Sequence, residues 1–84
     1  MPATKSPRQR QDLEELKEFV KSLEIATDNT FQIQEQTVIS DVEIIYKYRL
    51  INQATDLPVK PLYISVSALI NYIEFAINAA AISP

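Results

Sequence analysis

No glycine occurs anywhere in this chain of 84 residues, and histidine, cysteine and tryptophan are absent as well. At average usage a chain of this length carries about six glycines. Every turn must therefore use other residues, and glycine-rich phosphate cradles and dinucleotide-binding fingerprints are excluded. The missing histidine and cysteine also exclude an imidazole base, a thiolate nucleophile and a zinc site of the ordinary type. We therefore expect no metal, no cofactor and no enzymatic activity.

The chain is also at the small end of the range for a stable core. Its 46% of hydrophobic and 23% of charged residues are typical of a globular domain rather than of a disordered segment. A chain of 9.6 kDa buries only about 60–65% of its unfolded surface. Small domains usually gain stability from disulfides, a metal or a partner subunit, and disulfides are impossible here. Self-association is therefore the first source of extra stability to expect.

The net charge of −3 conceals an uneven distribution. Residues 1–11 carry three cations and no acid, whereas residues 12–84 hold five basic and eleven acidic groups. An acidic body repels nucleic-acid phosphates and anionic membranes. The N-terminus lacks the apolar segment of a secretory signal, and polar residues interrupt the most apolar stretch, residues 66–82. We expect a cytoplasmic protein that does not bind membranes.

A first helix is predicted from both its start and its periodicity. Ser6 can act as the N-cap, Pro7 suits the first helical position, and Gln9 completes a capping box. A start nearer Asp12, where acidic residues gather, is the alternative. Apolar residues then recur on one face up to a predicted end near Ile25: Leu13, Leu16, Phe19, Val20 and Leu23. Asn29 is the expected left-handed residue in the next turn, since glycine is missing.

Alternation of apolar and polar residues predicts an antiparallel hairpin. Residues 30–34 alternate as a half-buried strand does, and residues 42–51 do so more strongly. One face of the second segment is apolar and is expected to lie against the helices: Val42, Ile44, Tyr46, Tyr48 and Leu50. The opposite face is mixed and is expected to meet solvent: Glu43, Ile45, Lys47, Arg49 and Ile51. Residues 36–41 are ambiguous: Val38 and Ile39 could extend either strand, and Ser40–Asp41 is the best turn signal.

The C-terminal part is predicted to add a short edge strand and a second helix. The prolines at 58 and 61 favour extended geometry, and residues 62–64 are the candidate third strand. Ser65 or Ser67 can cap a helix that runs to about Ala80. The resulting prediction is a two-layer α+β domain over residues 6–84, with both helices on one face of a small antiparallel sheet. Residues 1–5 are expected to be a disordered tail.

The second helix is apolar over roughly two thirds of its circumference. One stripe suits the core of the domain: Val66, Leu69, Ile70, Ile73, Ile77 and Ala80. A second stripe, called the outer stripe below, comprises Ala68, Tyr72, Phe75, Ala79 and Ile82. A helix that is apolar on two sides needs cover on both, so we expect the outer stripe to be a homo-oligomer interface. Contact with a different protein, or a cleft within the monomer, are the alternatives.

Two basic groups are candidate nucleic-acid contacts. The N-terminal arm carries Lys5, Arg8 and Arg10, and the second strand carries Lys47 and Arg49 beside Tyr46 and Tyr48. Sheet aromatics beside cations can stack on RNA bases. Both tyrosines, however, share the face assigned to the core, and no aromatic residue is interleaved in the arm. We therefore expect core tyrosines with solvated cations on the opposite face, and an arm that only leads into the helix.

Two further motifs have structural explanations. Asp41 and Glu43 could form an acid–base pair or hold a hard cation, but a turn beside a solvent-facing strand residue explains them equally well. Residues 58–61 match the minimal spacing of a proline-rich ligand, and a structural loop is their expected role. A hydrolase or isomerase built on carboxylates would need a deep pocket lined by buried acids.

The function expected from the sequence is that of a small, non-enzymatic interaction or regulatory module that acts as a homodimer. The alternative is a nucleic-acid-binding accessory protein that uses the N-terminal arm and the Lys47/Arg49 face. Salt dependence separates the two, because phosphate binding falls steeply with added salt. No side chain of this composition has an unperturbed pKa near neutrality, so stability is expected to change little between about pH 6 and 8.

Overall fold

Two helices flank three strands in the computed structural model, which describes residues 4–82. Helix α1 spans Pro7–Thr27 and helix α2 spans Val66–Ile82, with strands β1 (Phe31–Ile39), β2 (Ile44–Asn52) and β3 (Leu57–Pro58) between them. The sheet is antiparallel in the order β1-β2-β3, so β1 and β3 form its edges. The predicted α+β class and element order are confirmed. Residues 1–3 of the predicted tail and the last two residues of the predicted domain lie outside the described range.

Helix α1 begins with the predicted capping box. The Gln9 amide donates a hydrogen bond to Ser6 Oγ (3.1 Å), and the Ser6 amide donates one to the side-chain oxygen of Gln9 (2.9 Å). Pro7 occupies the first helical position, where its missing N–H costs nothing. Gln9 Nε2 also donates to the carbonyl of Ile44 at 3.0 Å. The capping residue Gln9 therefore also links α1 to the start of β2. The alternative prediction, in which α1 begins near Asp12, is wrong.

Within the described range, both residues with a left-handed backbone conformation are aspartates. Asp28 follows α1 with φ 55°, and Asp56 has φ 58° in the turn after β2. The short polar side chain lowers the cost of this conformation compared with most other residues. The prediction of Asn29 for the first position is wrong by one residue: α1 ends at Thr27, and Asp28, the residue that directly follows it, takes the left-handed conformation.

Strands β1 and β2 pair in one uninterrupted register, from Phe31 opposite Asn52 to Ile39 opposite Ile44. Residues 36–39, which the sequence leaves undecided, therefore belong to β1. The continuous register places Glu35 opposite Tyr48, on the face of the sheet that the helices cover. A carboxylate thus lies on the mainly apolar face of β1 that the helices cover.

A serine hydroxyl stabilises the turn between β1 and β2. The Ser40 amide donates to the Glu43 carbonyl (3.0 Å), and Ser40 Oγ accepts from the Glu43 amide (3.1 Å). Such side-chain bonds to nearby backbone are typical of serine in turns. Val42, predicted on the core face, is 91% exposed, because it lies in this turn and not in β2.

The third strand forms at Leu57–Pro58, so its predicted position at residues 62–64 is wrong. Pro58 pairs with Ile51, and the following amide, that of Val59, donates to the β2 backbone. Only Ile64 of the predicted segment reaches β2, where it exchanges backbone hydrogen bonds of 2.7 and 2.8 Å with Tyr48. Prolines 58 and 61 have no N–H to donate, which limits this edge to short pieces.

The core lies between the sheet and both helices. Tyr48 and Leu50 of β2 are 1% and 0% exposed and pack beneath residues of α1 and α2. The buried cluster consists of Leu16, Val20, Leu23, Tyr48, Leu50, Leu69 and Ile73. The predicted placement of the two helices on one face of the sheet is therefore confirmed. The predicted core stripe of α2 also faces this cluster, through Leu69 and Ile73.

The opposite face of the sheet is only partly open to solvent. Ile51 is 6% exposed, although the alternation of the sequence places it on the solvent face. It pairs with Pro58 of β3, and Tyr63 lies over the neighbouring Arg49 at 4.5 Å. The chain after β2 thus folds back and covers part of this face. The expectation that the whole face meets solvent is wrong for this reason.

Replacing Ser6 with alanine should lower the free energy of unfolding by about 1 kcal/mol, because the first turn of α1 loses its cap. Ser22→Ala is the matched control, since the Ser22 hydroxyl only donates to the Glu18 carbonyl within the same helix. Urea unfolding followed by circular dichroism measures both. Equal stability of the two variants would contradict a stabilising role for the capping box.

Candidate interaction surface

The outer stripe lies on the side of α2 that faces away from the core. Phe75 is 72% exposed and Ile82 is 83% exposed, although both are large apolar residues. Ala68 and Ala79 are also exposed, and Tyr72 is half-buried. The alternative in which the whole helix is covered within the monomer is therefore wrong for the described residues. The stripe is an apolar surface in contact with solvent.

The borders of the outer stripe are polar. Lys60 Nζ lies 4.9 Å from the centre of the Tyr72 ring, a cation–π contact at one border. The other border is the polar line of α2, formed by Ser67, Asn71, Glu74 and Asn78. An uncharged apolar centre with a polar rim is the usual anatomy of a protein–protein interface. The sequence pattern does not reveal the contribution of Lys60, because the loop before α2 brings it to this position.

The cations of the N-terminal arm are distributed over different contacts. Lys5 Nζ lies 2.9 Å from Glu35 Oε2 and 4.5 Å from the centre of the Tyr46 ring. Arg10 lines a cleft of about 410 Å³ beside Lys5, whereas Arg8 lines a separate cleft between the helices. Lys5 therefore neutralises a carboxylate of this same chain, and the three cations do not share one surface.

Arg49 is held by a network on the outer face of the sheet. Its Nε donates to Gln34 Oε1 (2.8 Å), and a terminal nitrogen donates to the Pro61 carbonyl (2.8 Å). The Tyr63 ring lies over the guanidinium carbon at 4.5 Å. Lys47, two residues away on the same face, is half-buried. The guanidinium of Arg49 therefore stabilises the loop after β3.

The predicted position of the two strand tyrosines is confirmed. Tyr46 packs against the core and Tyr48 belongs to it, so neither ring is free on the face that carries Lys47 and Arg49. Residues 58–61 likewise have a structural role, since Pro58 lies in β3 and the Pro61 carbonyl accepts a hydrogen bond from the sheet. The geometry therefore supports neither a base-stacking platform of Tyr46 and Tyr48 nor a proline-rich ligand at residues 58–61.

A cleft of about 470 Å³ separates the first turns of α1 from the first turns of α2. Asp12 and Glu15 lie on the α1 wall, and Glu43 directly precedes β2. Asp41, the other member of the candidate acid–base pair, is not among the residues that line this cleft. Across residues 4–82, no three side chains that could hold a metal ion come together.

Burial raises the pKa of the Tyr48 phenol to about 12, and the nearby carboxylate of Glu35 acts in the same direction. Ionisation would place an anion within the core and beside another negative charge. The neighbouring Tyr46 and Asp12 contribute further to the increase in pKa. Tyr48 therefore stays protonated at neutral pH and acts as a packing residue.

In comparisons with known proteins, no family model, no curated protein and no solved structure matches this chain. Of the helices in the described range, neither is long and apolar enough to pass through a membrane.

The free energy of unfolding should decrease between about pH 10 and 12, because Tyr48 titrates near pH 10 in the unfolded chain and near 12 in the folded one. Over that window the Tyr48 phenol is ionised in the unfolded chain but still protonated in the folded one. The free energy of unfolding therefore falls by about 1.4 kcal/mol per pH unit. Below about pH 10 the phenol is protonated in both states, so its full contribution to stability is present. Tyr48→Phe should remove this slope, whereas Tyr63→Phe should retain it.

Urea unfolding at a series of alkaline pH values measures the slope, and ultraviolet absorbance of the tyrosines follows phenolate formation directly. One of the four tyrosines should titrate later than the others in the wild type and be missing from the Tyr48→Phe curve. Identical slopes for wild type and Tyr48→Phe would show that the buried phenol does not govern alkaline stability.

Proposed function

We propose that this protein is a small interaction module that assembles as a homodimer through the outer stripe of α2. The observation that carries the proposal is the exposure of Phe75, at 72%, in the middle of that stripe. Apolar surface contributes about 25 cal/mol per Å² when it is removed from water, and aromatic residues dominate interface energetics. Tyr72 and Ala79 lie three and four residues from Phe75, so the patch is continuous along the helix.

The size of the patch supports a weak and reversible dimer. An aromatic side chain buries about 150–250 Å², so Tyr72 and Phe75 with their neighbours supply roughly 500 Å² in each copy. The total of about 1,000 Å² lies at the lower end for specific interfaces. We therefore expect dissociation in the micromolar range.

The chemistry of the stripe favours a second copy of this chain as the partner. Identical faces that carry charge repel each other at a two-fold axis, and the outer stripe contains no charged residue. The alanines at 68 and 79 leave space beside the aromatics, so large side chains of one copy can pack on small ones of the other. The role we infer is regulatory, exerted in the cytoplasm by contact with other proteins.

The nucleic-acid-binding alternative has less support. It relies on Lys5, Arg8, Arg10, Lys47 and Arg49. Lys5 and Arg49 already contact groups of the same chain, and residues 12–84 are strongly acidic. A phosphate backbone needs several free cations on one surface.

Phe75→Glu should weaken self-association at least about 100-fold, because two like charges then meet in an apolar contact and each copy loses an aromatic side chain. Sedimentation equilibrium at micromolar concentration measures the effect as a lower average mass. The fold should persist, since Phe75 contributes little to the core of the monomer.

Val42→Glu is the matched control: it also replaces an exposed apolar residue by a carboxylate, but in the turn between β1 and β2. Its average mass should equal that of the wild type. A wild type that stays monomeric, or a Phe75→Glu variant with unchanged mass, would refute the proposed interface.

A further inference from the structure

A second surface without a partner runs along the free edge of β1. Tyr48 exchanges its backbone hydrogen bonds with Ile64, on the β3 side of β2. Glu35, which lies opposite Tyr48, therefore directs its own N–H and C=O away from β2 and toward the free edge. Backbone groups of an antiparallel strand change direction at every residue, so the N–H and C=O of Ile33 and Thr37 also point toward the free edge. Across residues 4–82, no backbone group bonds to these three residues at the edge.

The free edge carries one feature that usually hinders strand addition, a charged residue (Glu35) on the inward face of the sheet, and it lacks the others. Strand β1 has nine residues, contains one charged residue and no proline, and pairs with β2 without a bulge. Natural edge strands are commonly protected by lysine, proline, bulges or short length. The single charge, on Glu35, is balanced by Lys5 at 2.9 Å. The edge is therefore competent to pair with another strand.

We propose that the β1 edge of a second copy of this chain pairs antiparallel with this edge and joins the two sheets into one. The outward-facing residues of the two strands would pair with each other about a two-fold axis. An axis through Glu35 would set two carboxylates directly opposite, which is destabilising. An axis shifted toward the start of β1 would require the Phe31 amide to pair with the second copy. That amide already donates a hydrogen bond to Glu24 Oε2 at 2.8 Å, which would have to break.

An axis through Gln36 avoids both conflicts. It pairs Glu35 with Thr37 of the second copy and Ile33 with Ile39 of the second copy, and it forms about eight backbone hydrogen bonds. Ile39, which is 75% exposed, gains an apolar neighbour across the new ladder. At the axis the two Gln36 side chains face each other, and their amides can hydrogen-bond. This complementarity of β1 with itself favours a second copy over an unrelated peptide.

This contact is independent of the outer stripe, because it uses a sheet edge and no residue of α2. A protein that uses both contacts forms assemblies larger than a dimer, and each contact can be removed separately. The failure of one proposal is therefore distinguishable from the failure of the other.

Thr37→Pro is the decisive variant. It removes an outward N–H that β2 does not use, so the ladder within the monomer stays intact, and edge positions tolerate proline. Thr37→Ala is the matched control, since it retains the N–H. Sedimentation equilibrium at about 100 µM compares the wild type, Phe75→Glu, Thr37→Pro and the double variant, because weak interfaces are populated at this concentration.

The wild type should exceed a dimer, each single variant should be a dimer, and the double variant a monomer. A Thr37→Pro mass equal to that of Thr37→Ala would overturn the edge contact. A Phe75→Glu mass equal to that of the wild type, together with a monomeric Thr37→Pro, would instead refute the outer stripe and leave the edge contact standing.

Hydrogen exchange provides a test that does not depend on the folding of a proline variant. In Phe75→Glu, the amides of Ile33, Glu35 and Thr37 should exchange roughly three- to tenfold more slowly at about 500 µM than at about 5 µM, because pairing protects them and the unpaired fraction falls at most with the square root of the concentration. The amide of Gln36, which bonds within the monomer, should be protected at both concentrations. Fast exchange of the three edge amides at every concentration would overturn the proposal.

Discussion

The rest of this structure depends on the packing of Tyr48 in the middle of β2. Its ring lies in the core beneath both helices, while its backbone pairs with Ile64 at the start of the segment that leads into α2. Glu35 and Lys5 complete the surroundings from β1 and the N-terminal arm. One residue thereby joins parts of the chain that are far apart in sequence. Because its phenol is buried beside a carboxylate, it can serve this purpose only in the neutral form.

A core on one side of a small sheet has consequences for the surfaces that remain. The helices cover one face only, and α2 has more apolar surface than this arrangement can bury. A chain of this size cannot supply a third layer, so the outer stripe stays in contact with solvent. Strand β1 is likewise an edge because the chain contributes too few strands to close the sheet. Both proposed contacts thus originate in the same shortage of covering structure.

The absence of glycine is accommodated by short polar side chains. Asp28 and Asp56 adopt the left-handed conformation, and the Ser40 hydroxyl satisfies the backbone of the β1–β2 turn. The two aspartates occupy positions that glycine usually takes, whereas Ser40 stabilises its turn through hydrogen bonds of its hydroxyl. The consequence is a fold in which the turn between β1 and β2 depends on specific side-chain hydrogen bonds.

The sequence by itself determined the features that arise from neighbouring residues: the capping box of Ser6 and Gln9, the helical periodicity and the alternation along β2. It also separated the two stripes of α2, because helical spacing alone defines them. Only the tertiary structure decided which edge residues join the sheet, that Ile51 is covered, and that Lys60 borders the outer stripe. Arg49 illustrates the difference. The alternation along β2 placed it on the outer face of the sheet, but its partners come from β1 (Gln34) and from the loop after β3 (Pro61 and Tyr63). Local propensities act over a few residues, whereas such contacts depend on how the whole chain folds back on itself, and no periodicity in the sequence encodes that.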